Sequence, residues 1–72
     1  MRRKTEIFSI FGQIEAVVAE GMIEQYGLHR IDAKDIPETA AFNEAGQTAR
    51  FAVVIPAERR TEFERRITEL RA

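Results

Sequence analysis

Histidines, clustered carboxylates and activated hydroxyls are the groups with which a protein binds metals or moves protons, and this chain has few of them in useful patterns. His29 is its single histidine, and Asp32 and Asp35 follow it closely enough to raise the question of a divalent-metal site. On a strand, however, residues 29 and 32 point to opposite faces. One imidazole with two surface carboxylates is also a weak ligand set for a transition metal. His29 reads instead as a partly exposed strand residue. Glu15, Glu20 and Glu24 share one helical stretch, with Glu20 and Glu24 four residues apart. A general acid–base couple needs a cleft in which two environments drive the pKa values apart, whereas these three read as a solvated edge. Ser9 has neither a neighbouring histidine nor the glycines of a nucleophile elbow. We therefore expect a protein that is not an enzyme, with no catalytic, cofactor-binding or metal-ligating residue.

Phosphate binding is the next chemistry to weigh. Arg2, Arg3 and Lys4 at the start, with Arg59, Arg60, Arg65 and Arg66 near the end, could form one basic patch. The segment Ile7-Phe8-Ser9-Ile10-Phe11 is superficially similar to a strand of an RNA-recognition motif, with an aromatic for base stacking. Against this, the segment Arg50-Phe51-Ala52-Val53 lacks that motif's glycine–aromatic pattern, and Glu58, Glu62, Glu64 and Glu69 interleave with the later arginines and cancel most of their field. Weak RNA or single-strand binding stays as a second alternative.

Seventy-two residues allow one domain, residues 1–72. A chain this short buries only about 60% of its unfolded surface and is marginal alone. It has no cysteine, so no disulfide or thiolate site reinforces it, and oligomerisation is the usual remaining route to stability. Eleven basic against twelve acidic side chains leave a net charge of −1, so no global field selects nucleic acid or an anionic membrane. No apolar run is long enough to span a membrane. Arg2, Arg3 and Lys4 resemble a signal-peptide start, but Glu6 interrupts the pattern. We expect a cytoplasmic protein, and short loops and simple composition point to a prokaryotic one.

The elements that must position any site follow from periodicity. Residues 5–11 (TEIFSIF) are dense in β-branched and aromatic types and end at Gly12, which fits a short strand apolar on both faces. A competing reading runs a helix back through them, since Ile7, Ile10, Phe11 and Ile14 also obey helical spacing; it would make the fold αββα with a long N-terminal helix. A helix spans Gln13 to Tyr26, opened by Ser9 or Gly12 and closed by Gly27 with Leu28 behind it. Residues 28–36 alternate weakly, as a half-exposed edge strand stopped by Pro37, and residues 37–47 read as a connection anchored in the interior by Phe42. Residues 48–55 (TARFAVVI), apolar on both faces, make the best central strand. Pro56 then opens a second helix striped by Phe63, Ile67 and Leu70 and laced with the i,i+4 pairs Arg60–Glu64, Glu62–Arg66 and Arg65–Glu69. Phe8, Phe11, Phe42, Phe51, Phe63 and Tyr26 are expected in the core. The order β-α-β-β-α defines an α+β fold: a ferredoxin-like split βαβ without its fourth strand, with a three-stranded antiparallel sheet and two helices on one face.

The first helix carries more apolar surface than this fold requires. Ala16, Val18, Ala19, Met22, Ile23 and Tyr26 form one broad face, while Ile14, Val17 and Gly21 form a second stripe beside it. Leaving Ile14 and Val17 in water forfeits roughly 1.5–3 kcal/mol each relative to burial. The absent fourth strand also leaves the first strand's edge open, a liability that must be covered or paired. We therefore expect a protein interface at Ile7, Ile10, Ile14, Val17 and Gly21, serving a homodimer or a larger partner protein.

The run Ile14-Glu15-Ala16-Val17-Val18-Ala19-Glu20-Gly21-Met22-Ile23-Glu24-Gln25-Tyr26-Gly27-Leu28 resembles the small PII-like, ferredoxin-like prokaryotic signal-transducing protein family. So does Val53-Val54-Ile55-Pro56-Ala57-Glu58, a strand ending in Val-Pro-x-Glu style before an apolar-striped helix. Together these cover about two thirds of the chain; the middle connection and the basic start have no counterpart. The resemblance implies a regulatory or ligand-sensing module, with a small molecule between subunits as an alternative, and carries over no catalytic residue. True PII proteins bind nucleotide with a long basic loop, whereas residues 37–47 are short and hold no Lys or Arg.

Overall fold

The computed structural model describes residues 4–69; the expectations placed on Arg2, Arg3 and Leu70 lie outside the described residues. Its elements are β1 (Thr5–Ile10), α1 (Gln13–Tyr26), β2 (His29–Asp32), a one-turn α2 (Glu38–Ala41), β3 (Phe51–Pro56) and α3 (Arg60–Glu69). Turns of 3-10 helix follow β2 at Ala33–Asp35 and precede α3 at Ala57–Arg59. The sheet order is β1-β3-β2, with β3 antiparallel to both neighbours. This is the α+β arrangement expected of a small ferredoxin-like split βαβ.

The αββα alternative is overturned. Residues 5–10 pair along their whole length with β3, from Thr5 opposite Pro56 to Ile10 opposite Phe51. The pleat lets Phe8 and Ile10 join the helix-side core, while Gly12, extended at φ −87° and ψ 154°, separates strand from helix as the N-cap of α1. At the other end Gly27 adopts the left-handed conformation (φ 63°), and both its N–H and that of Leu28 donate to the Ile23 carbonyl. Those bonds satisfy the end of the helix and turn the chain into β2.

Between sheet and helices lies the main core: Ile10 from β1, Phe51, Val53 and Ile55 from β3, Ala19 and Met22 from α1, and Phe63 and Ile67 from α3. The Phe8 and Phe63 rings meet at 4.8 Å, tilted by 59°, a favoured aromatic geometry.

The opposite face of the sheet has a smaller core that the sequence reading did not anticipate. Ile36, Ala49 and Ala52 are buried there, with Phe11, Ile31, Ala40 and Ala41 packed against them. The connection between β2 and β3 thus folds under the sheet, and the Ser9 hydroxyl fastens it to β1 by donating to the Ala40 carbonyl at 2.6 Å. The β2 strand is shorter than expected because the chain turns at Ala33 to enter this layer.

Phe42 corrects another expectation: it is 55% exposed rather than an interior anchor. Its neighbour Ala41 takes the inward position and accepts a bond from Ala49 N–H at 2.9 Å, and Phe42 itself is extended and bridged to Thr48. The chain passes from helix at Ala41 to extended backbone at Phe42, and there the ring points outward. The Asn43 side chain holds the following turn by accepting from the Ala45 and Gln47 N–H groups.

Candidate interaction surface

The expected interface residues separate into three groups. Ile10 is fully buried in the helix-side core, so its side chain is withdrawn from any interface. Ile14 and Val17 stand 59% and 69% exposed on α1, and Gly21 is exposed one turn further on. A Cβ on Gly21 would meet nothing within 4 Å, so no contact inside the chain demands glycine there. Ile7 is 37% exposed but lies on the other face of the sheet, in one cross-strand row with Val54 and His29. The α1 stripe and the Ile7 row are therefore distinct surfaces on opposite faces of the sheet.

The sheet edge beside Ile7 is that of β1, which has β3 on its one paired side. Lys4 O accepts from Ala57 N–H at 2.9 Å and Ile10 O accepts from Arg50 N–H at 2.8 Å, so the even-numbered residues of this strand turn their backbone groups toward β3. In an antiparallel ladder the intervening residues face the other way. Thr5, Ile7 and Ser9 consequently present their N–H and C=O groups to the open side. Beside this edge Arg60 bridges Glu6 (Nη1–Oε1 3.2 Å) and Glu64 (Nε–Oε1 2.9 Å), with its guanidinium 5.4 Å from the Phe8 ring centre. Sequence spacing revealed the Arg60–Glu64 pair, whereas the Arg60–Glu6 pair joins residues far apart in the chain and had no local signal.

The residues weighed for chemistry are placed as follows. His29 pairs with Val54 and Asp32 with Phe51, which puts them on opposite faces of β2. Among the described residues no group of three or more His, Asp or Glu side chains is arranged to hold a metal ion. Glu15 departs from the solvated edge expected of it with Glu20 and Glu24: it is 8% exposed, and its carboxylate lies against Gly12, where a Cβ would come within 3.2 Å of Oε1. Its place in the first turn of α1 is the signal that foretells this, since an acid there suits the helix N-terminus. Arg59 stacks over Tyr26 at 5.0 Å and Arg30 over Phe51 at 4.6 Å. A small cavity of about 10 Å³ between Met22, Tyr26, Leu28, Ile55 and Phe63 has room for no more than a single water. A wider open hollow of about 360 Å³ lies against Gly12, Gln13, Ile14 and Glu15. Among the described residues no helix is long and apolar enough to cross a membrane.

Among the described residues the fold and these surfaces define a small α+β domain with the outer edge of β1 unpaired and apolar side chains exposed on α1. No protein-family model, curated protein or solved structure matches the chain. The resemblance to the prokaryotic signal-transducing family accordingly stands on the residues quoted for it.

Proposed function

We propose that this chain is a non-enzymatic protein-interaction module, cytoplasmic and regulatory in use, that works through the β1 edge and the outer stripe of α1. The observation that carries this reading is the exposure of Ile14 and Val17 on a helix whose inward residues, Ala19 and Met22, are already buried in the core. Gly21 adds support: a glycine inside a helix costs about 1 kcal/mol relative to alanine, and an outer partner approaching the backbone closely is a reason for it. The family resemblance contributes the regulatory role. The enclosed cavity is water-sized, so it supports no small-molecule site in the interior of the chain. Nucleic-acid binding is disfavoured by the strand aromatic itself, because Phe8 packs on the helix side against Phe63 rather than on the open face.

The test is the double variant Ile14→Glu with Val17→Lys, assayed for fold by circular dichroism and for self-association or partner binding by light scattering and titration. The expected result is a folded protein that no longer associates. A folded variant with unchanged mass and unchanged partner binding would overturn the reading.

A further inference from the structure

We propose that β1 pairs edge to edge with β1 of a second copy, antiparallel and centred on Ile7, so that the two three-stranded sheets become one. This deepens the interaction-module reading and rests on it. Three observations lead here.

The first is the backbone. Thr5, Ile7 and Ser9 turn their N–H and C=O groups away from β3, as the bonds at Lys4 and Ile10 fix. Antiparallel pairing centred on Ile7 sets Thr5 opposite the second copy's Ser9 and Ile7 opposite its own counterpart, which are the outward residues of both strands.

The second is that, among the described residues, β1 carries none of the usual edge protection. Sheet edges that stay solitary are short, charged or bent away. The other edge strand, β2, is like that: four residues, with Arg30 and Asp32 at its outer positions and a 3-10 turn immediately after. By contrast β1 has six residues, and its one charge, Glu6, is tied to Arg60 on the helix side. The outward side chain at its centre is Ile7.

The third is charge, and it selects a second copy over another protein. In the Ile7-centred register Glu6 lies opposite the second copy's Phe8. Arg60 sits 5.4 Å from the Phe8 ring centre and half exposed, so each copy's Glu6 comes to face the other copy's Arg60. The surface is complementary to itself through a two-fold axis, with Ile7 meeting Ile7 on one face of the new sheet and the two acid–base pairs on the other.

Light scattering of the protein over a dilution series, with four sets of variants, tests this. Wild type is expected to reach the dimer mass. Ile7→Pro deletes an N–H that faces the open edge and no β1–β3 bond, so it is expected to give a folded monomer. Glu6→Arg and Arg60→Glu are each expected to weaken the dimer, and their equimolar mixture to form a one-to-one heterodimer by native mass spectrometry. Only pairing between chains restores opposite charges in that mixture; pairing within a chain does not. Should Ile7→Pro fail to fold, Ile7→Cys reports instead: the chain has no other cysteine, and mild oxidation is expected to link it as a dimer. A wild type that stays monomeric overturns the proposal. So does a dimer that survives Ile7→Pro but dissociates in Ile14→Glu with Val17→Lys, an outcome that leaves the interaction module itself standing. Loss of the dimer without heterodimer formation overturns the Ile7-centred register.

Discussion

The two long helices lie on the same face of one sheet, yet the protein uses them unequally. On α3 the apolar positions Phe63 and Ile67 are 1% and 5% exposed, and charged residues occupy most of its remaining surface. On α1 the inward residues Ala19 and Met22 are just as buried, but Ile14 and Val17 stand in solvent. A three-stranded sheet offers each helix one strip of contact, and α3 is written for that strip alone. The extra apolar side chains of α1 are surplus to folding, and surplus of that kind is what an association surface is made from.

The contrast is broken most forcefully at Phe63. Truncation by Phe63→Ala should cost about 3–5 kcal/mol, read from urea denaturation, because the ring fills the space between Phe8 and the α1 side of the core. A cost below about 1 kcal/mol would mean that α3 is no better seated than the outer stripe of α1. Next is the end of α1: Gly27→Ala forces a Cβ into the left-handed conformation and should destabilise by about 1–2 kcal/mol in the same assay. Gly21→Ala tests the opposite sign. With open space around it, the change should stabilise the isolated chain by about 0.5–1 kcal/mol, and a concomitant loss of association would locate close backbone contact there. Smallest is Ile14→Gln, expected to shift unfolding at high dilution by no more than about 0.5 kcal/mol. A larger loss would show that Ile14 supports the fold and that the comparison between the helices is misdrawn.

Much of this arrangement was readable in the residues. The bounds of α1, its closure at Gly27, the central place of β3 and the strand order follow from spacing, capping and crossover handedness, all of them local or strongly constrained. Residues 33–50 were not readable, because their fold depends on long-range closure of the second sheet face. Alanines at positions 40, 41, 49 and 52 let the connection approach the strands closely, and a small side chain gives no hydrophobic signal of that kind. Phe42 points inward by residue type alone, but the end of α2 at Ala41 and the Asn43 bonds set its side. At the candidate surface, Ile14, Val17 and Gly21 were legible because helical phase is reliable over three turns. Ile10 was misassigned because apolarity on both faces of β1 does not distinguish its core side from its outer side.

The position of β3 in the sheet has a consequence for how the chain comes into being. Among the described residues the two flanking strands take β3 as their one strand partner, and β3 begins at Phe51. During synthesis at about 5–20 residues per second, β1 therefore emerges and waits for seconds before its partner strand β3 exists. Throughout that interval Ile7, Phe8 and Ile10 are displayed with the unpaired strand, and a neighbouring nascent copy on the same message carries the same segment. Folding of this domain is thus a race between a partner still being made and an identical strand already present.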